Sequence, residues 1–280
     1  MRWQGRRGST NIEDRRRSGS SGMAIGGAGG LGVLAIVVIG ALFGVDLTPM
    51  LGGAGGGSIQ SGPYEPTEAD NRAAEFVSVT LADTEQVWSD IFQTQLGQTY
   101  EPTTLVLFKG STQSGCGGAT AQTGPFYCPV DKQVYLDTDF FVTLEQQLGA
   151  SGDFAAAYVV AHEVGHHVQD LLGILDEAQR GQQQGANSAS VRTELQADCF
   201  SGVWANYAQN QLGTIEAGDI DEAMNAAAQI GDDTLQQEAG QGVRPDSFTH
   251  GTSEQRERWF MTGFQSGDIG QCNTFEARQL

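Results

Sequence analysis

The sequence predicts an α+β, mainly helical fold with a small β-sheet, preceded by one transmembrane helix. Residues 23–45 (MAIGGAGGLGVLAIVVIGALFGV) form an apolar run without a charge. Apolar residues recur at three- and four-residue intervals through 70–96 and again through 154–173, the spacing of one helical face. Two short β-prone runs, 104–108 (TLVLF) and 134–136, bracket a glycine-rich segment that holds two of the four cysteines.

Residues 1–22 carry six arginines against Glu13 and Asp14 and show no hydrophobic periodicity. That composition predicts a disordered basic cytoplasmic segment. The 23 residues that follow, at about 1.5 Å each, are long enough to cross roughly 30 Å of hydrocarbon. They exceed the roughly 7–15 residues of a signal-peptide core and lack a clear cleavage site. With the arginines on the N-terminal flank, the positive-inside rule leaves the N-terminus in the cytoplasm. The expectation is a single-pass cell-membrane protein with an extracytoplasmic folded domain. The Gly26–Gly30 spacing is a weak GxxxG match and predicts weak self-association through the membrane helix. Residues 46–67, rich in Gly, Ser and Pro, read as a linker, and 68–280 as the folded domain.

The formal charge of −19 conceals an asymmetry: residues 1–22 carry +4, and the remainder, with nine basic and 32 acidic side chains, carries −23. So acidic a domain excludes nucleic acid as a partner. Cys116, Cys128, Cys199 and Cys272 all follow the apolar run, an even number that predicts two disulfides in an oxidising compartment. Three connectivities are open; proximity favours Cys116 with Cys128, leaving Cys199 with Cys272.

Within the domain, Phe76, Val77, Leu81, Val87, Trp88, Ile91 and Phe92 mark the buried face of the first helix. Helical patterns follow at Phe140–Leu148 and at Phe154–Gly173, the latter ending on a glycine suited to a C-cap. After the polar stretch 181–190, another helix is expected from about Ser190 to Leu212, and a last helical region from Asp219 towards His250.

The chemistry concentrates in HEVGH, residues 162–166. Four residues of helix rotate by about 400°, so His162 and His166 project from one face and can grip one zinc ion. Glu163 lies about 100° around the helix, placed to act as general base without being a ligand. Catalytic zinc keeps three protein ligands, and Glu194 in TELQAD is the candidate third. Asp198, one helical turn on, is expected to accept a hydrogen bond from His162 and set its tautomer. His167 is expected to be a hydrogen-bonded structural histidine. His250 is the candidate donor to the oxyanion of a peptide carbonyl under attack, Arg256 a structural ion-pair partner, and Asp219, Asp221, Asp232 and Asp233 solvated surface. One zinc per chain and a peptide or protein substrate follow. A catalytically inactive metal-binding scaffold or chaperone-like protein is the alternative, and a thiol-dependent redox protein a further one.

With those residues in view, the chain resembles the bacterial neutral zinc metallopeptidases of the YpfJ-like family. The resemblance rests on RWQGRRGSTNIEDRR, GCGGATAQTGPFYCPVDKQVYLD, AHEVGHHVQ, RTELQADCFSGVW and SFTHGTSEQR, in that order. It implies a zincin-like metallopeptidase domain of the glutamate-ligand type, its HExxH helix packed under a small sheet and a cleft across the metal. It also implies that a strand at Gly124–Cys128 or Val134–Leu136 lines the cleft and pairs with an extended substrate.

Overall fold

Helix α1 (Glu68–Ile91) starts where Thr67 and Asp70 form a capping box, each side chain accepting the other's backbone N–H. Its apolar face, from Phe76 to Ile91, is buried as the periodicity predicts, and a π-helical turn over Phe92–Leu96 ends at Gly97 with φ +66°. The computed structural model describes residues 1–17, 64–120, 123–146, 149–150 and 152–280.

A four-stranded sheet has the order β1-β2-β6-β5, with β1 Ile12–Asp14, β2 Thr104–Phe108, β5 Phe126–Cys128 and β6 Gln133–Asp137. Strands β1, β2 and β6 run parallel, while β5 closes one edge antiparallel to β6, pairing Tyr127 with Val134. A separate hairpin, β3 (Ser111–Ser114) with β4 (Gly117–Thr120), is tied to β5 by the Cys116–Cys128 disulfide.

After α2 (Phe140–Gln146) comes the central element, α3 (Asp153–Leu171), buried without a break from Phe154 to Gly165. A helix buried on all sides belongs in the middle of a domain, and α3 packs against α1, β5, β6 and three of the later helices. The short α4 (Ile174–Ala178) follows, then α5 (Ala189–Tyr207), whose N-cap Ser188 accepts the Val191 N–H. The expected last helical region is two helices, α6 (Asp219–Gln229) and α7 (Asp232–Glu238), and a further helix, α8 (Ser253–Ser266), follows His250. The break falls at Gly231, where a β-carbon would stand 2.4 Å from the Ser253 nitrogen.

Helices α5 and α8 are in backbone contact. A β-carbon on Gly202 would lie 2.0 Å from the Phe260 carbonyl oxygen, and one on Gly263 1.9 Å from that of Cys199. The second disulfide, Cys199–Cys272, fastens α5 to the chain beyond α8.

The N-terminal segment corrects the expectation of disorder. Met1 and Trp3 are buried, Trp3 meets Phe76 edge-to-face at 5.4 Å, and β1 pairs in parallel with β2. The folded domain supplies what the segment's composition lacks: Arg6 pairs with Asp83, the Arg16 guanidinium donates to the Asp70 carbonyl at 2.7 Å, and Arg2 reaches Glu216 at 3.1 Å.

The transmembrane helix and the single-pass membrane localisation are corrected with it. No helix among the described residues is long and apolar enough to cross a membrane. Residues 23–45, with the Gly26–Gly30 spacing and its expected self-association, and most of the expected linker, lie outside the described residues. A single span there would leave residues 1–17 and the domain on opposite faces of a bilayer, whereas β1 is hydrogen-bonded into the domain's own sheet.

Candidate metal centre

The i, i+4 spacing on α3 places His162 and His166 one turn apart, ring centroids 4.8 Å from each other. Glu194 on α5 faces both: its Oε2 lies 3.1 Å from His162 Nε2 and its Oε1 3.6 Å from His166 Nε2. One donor atom from each of the three lies within 4.8 Å of the others. Ligand atoms about 2.0–2.1 Å from a tetrahedral zinc stand roughly 3.3 Å apart, and the two observed separations fall on either side of that value. The helices come close enough for this because residue 165 is glycine, where a β-carbon would meet the Ala197 carbonyl oxygen at 3.1 Å.

The other nitrogen of each ring is held by an acceptor. His162 Nδ1 lies 2.9 Å from Asp198 Oδ1, and His166 Nδ1 2.8 Å from Gln169 Oε1. Gln169 is fully buried and its amide nitrogen donates to the Thr193 carbonyl and to Gln196 Oε1, so its oxygen is the atom that faces His166. Both Nδ1 atoms therefore carry a proton, so Nε2 of each ring is the nitrogen that would face a metal once any proton on it is displaced, the tautomer that metal-binding imidazoles need.

Behind His162 lies a buried charge network. Asp198 is fully enclosed, and Arg256, 2 % exposed, grips it with two hydrogen bonds of 2.9 Å. The Tyr158 hydroxyl donates to Asp198 at 2.5 Å. Burial resists ionisation of Asp198, but the Arg256 and His162 charges overcome it and hold the carboxyl down to about 2. Burial likewise opposes a charged His162, and Asp198 with Glu194 outweighs it, raising that imidazole to about 10. Glu194 sits well below the usual carboxylate range: against the cost of burial stand the charges of His166 and His250 and the contacts with both histidines.

Glu163, the neighbour of His162, is buried and outside the three-donor group. Burial pushes its carboxyl up, with only partial relief from His166 and His162, and it accepts the backbone N–H of Tyr127 from β5. His167 turns away from the centre: its Nε2 donates to the Glu101 carbonyl at 2.7 Å and its Nδ1 lies 3.1 Å from the Tyr127 hydroxyl. His250 is not one of the three donors, although its charge acts on Glu194. Its Nδ1 faces Thr249 Oγ1 at 2.8 Å. All four cysteines are paired, Cys116 with Cys128 and Cys199 with Cys272, so no free thiol remains for redox chemistry.

A second group with metal-ligand spacing, Asp153, Asp219 and Glu222, already faces a cation: the Met1 ammonium is 2.7 Å from Asp153 and 3.2 Å from Asp219. Sequence reasoning missed Gln169, although its place three residues after His166 on the same helix put it within reach. It also read Asp232 as solvated surface, whereas that residue is 1 % exposed.

The family model described as "Putative neutral zinc metallopeptidase" matches residues 1–275. The chain belongs to this family. The protein named "Uncharacterized protein YpfJ" of Escherichia coli (strain K12) is 50 % identical over 288 residues, covering 98 % of this chain and 99 % of that protein. "Uncharacterized protein Rv2575" of Mycobacterium tuberculosis (strain ATCC 25618 / H37Rv) is 51 % identical over 184 residues, 62 % of each chain. No solved structure matches.

Proposed function

We propose that the protein is a peptidase hydrolysing peptide bonds at one zinc ion held by His162, His166 and Glu194, with Glu163 as general base. The observation that carries this reading is the convergence of two Nε2 atoms on Glu194 while both Nδ1 atoms are committed elsewhere. A three-donor set of this kind suits catalytic zinc, whereas structural zinc takes four protein ligands. When bound, the ion supplies Lewis-acid activation of water and of the scissile carbonyl.

The chain's own groups divide the remaining work. Glu163, its affinity for a proton raised by burial, takes one from water and delivers it to the leaving amine. His250 donates to the oxyanion. Asp198, kept ionised by Arg256, holds the proton on His162 Nδ1. Of the two strands that could line the cleft, β6 has both edges paired, whereas β5 ends the sheet and carries Tyr127 to Glu163. An extended peptide adds to β5 by strand pairing.

A metal-binding scaffold without turnover is the competing reading, and the buried carboxylate of Glu163 counts against it, since a purely structural site needs no base. The test is zinc content by elemental analysis together with hydrolysis of fluorescein-labelled casein. Glu163→Gln should keep about one zinc per chain and lose turnover; Glu194→Ala should lose the metal. Unchanged hydrolysis by Glu163→Gln would remove the base assignment, and a wild-type chain without zinc would remove the enzyme.

A further inference from the structure

Asp232 opens α7 and is 1 % exposed, which for a carboxylate demands compensation. It comes almost entirely from one loop. The Asp232 Oδ2 accepts three successive backbone N–H groups, those of Thr249 at 2.8 Å, His250 at 2.7 Å and Gly251 at 2.9 Å. The Asp232 N–H donates to the Gly251 carbonyl at 2.8 Å, and Oδ1 lies 3.4 Å from His250 Nδ1.

The same loop is fastened from the other side to the helix that carries Glu194. Ser190 Oγ donates to the Thr249 carbonyl at 2.8 Å. Gly251, at φ +91°, lies where a β-carbon would press within 3.3 Å of Leu195 and Val191, both on α5. A side chain at 251 would be strained by that φ and crowd these neighbours, so the loop sits directly on the metal-site helix. With Nδ1 turned to Thr249 and Asp232, the ring nitrogen without a protein hydrogen bond among the described residues is Nε2.

We infer that Asp232 is a positioning residue for His250, clamping the 249–251 loop through one carboxylate oxygen and the imidazole through the other. What His250 then does rests on the peptidase reading; how it is held rests on these contacts. Since a carboxylate only accepts, Asp232 keeps a proton on Nδ1 of His250, and the Nε2–H of the imidazolium, the form able to donate to an oxyanion, is aimed away from the clamp. Asn at 232 keeps an oxygen for the three amides but turns an NH₂ towards Nδ1, so Asp232→Asn separates the two effects and Asp232→Ala removes both.

Two measurements on the full chain decide it. Long-range ¹H–¹⁵N correlation spectra resolve the rings of four histidines; in the metal-free protein His250 should show protons on both ring nitrogens and lose the one on Nδ1 in Asp232→Asn. With zinc loaded, Asp232→Ala should lower kcat on fluorescein-labelled casein by roughly 10–100-fold, leave KM and zinc content unchanged, and add nothing to His250→Ala in the double variant. Identical His250 spectra in wild type and Asp232→Asn would overturn the inference, as would a double variant whose losses multiply. Should Asp232→Ala not fold, Asp232→Asn carries both measurements. If wild-type protein leaves casein intact, the peptidase reading fails while the spectra still decide the clamp.

Discussion

Replacing Arg256 with methionine keeps most of its volume and removes the guanidinium that holds Asp198. Two hydrogen bonds of 2.9 Å vanish, and a carboxylate with no exposure is left, among the described residues, with His162 and Tyr158 as its side-chain hydrogen-bond partners. Breaking a buried ion pair by removing one partner costs about 3–5 kcal/mol, because the remaining charge stays desolvated. A ceiling comes from the alternative of protonating Asp198. Raising its pKa from about 2 to neutrality corresponds to roughly 7 kcal/mol at about 1.4 kcal/mol per unit. The expected loss of 3–5 kcal/mol lies inside that bound and should be read by urea denaturation at pH 7. Arg256→Lys should recover only part of it, as a point charge in place of a two-pronged donor. The double variant Arg256→Met/Asp198→Asn should be more stable than Arg256→Met, since the orphaned charge is gone. Zinc affinity of Arg256→Met should fall about 10–100-fold through the loosened His162. A destabilisation below about 1 kcal/mol with zinc affinity unchanged would refute the network as the support of the site.

Gly263→Ala drives a methyl into the Cys199 carbonyl and should cost at least about 1–3 kcal/mol, whereas Gly242→Ala, with open space around it, should stay within about 0.5 kcal/mol; equal thermal shifts for the two would contradict the close α5–α8 approach. Opening Cys199–Cys272, which spans 73 residues, should destabilise by about 4 kcal/mol, against about 3 for Cys116–Cys128 spanning 12; denaturant midpoints of the serine variants give the order. Asp198 has a folded pKa near 2, below its ordinary 3.8, so its contribution is fully present above about pH 4 and is lost as the pH falls towards 2, amounting to about 2 kcal/mol. In Arg256→Met the acid transition should begin at higher pH, and an unchanged acid midpoint would show that Arg256 does not hold Asp198 down.

The helix spacing of the chain brings His162 and His166 together, and TELQAD announces two carboxylates a turn apart. Those are local facts: residues three or four apart on a helix share a face whatever the rest of the molecule does. The long buried runs of α1 and α3 were legible for the same reason, and so was the short sheet, though not its first strand. The tertiary structure decided the rest. Residues 1–17 look like a disordered tail because their own composition cannot build a core; they are ordered because an acidic domain supplies ion-pair partners and an open sheet edge supplies backbone hydrogen bonds. Asp232 reads as surface in a run of aspartates, yet packing buries it under a loop 17–19 residues away. Arg256 meets Asp198 across 58 residues, between the two helices that Gly202 and Gly263 let touch. Periodicity records which way a side chain faces along its own element, but a charge acquires its partner, its desolvation and hence its role only when distant elements close around it.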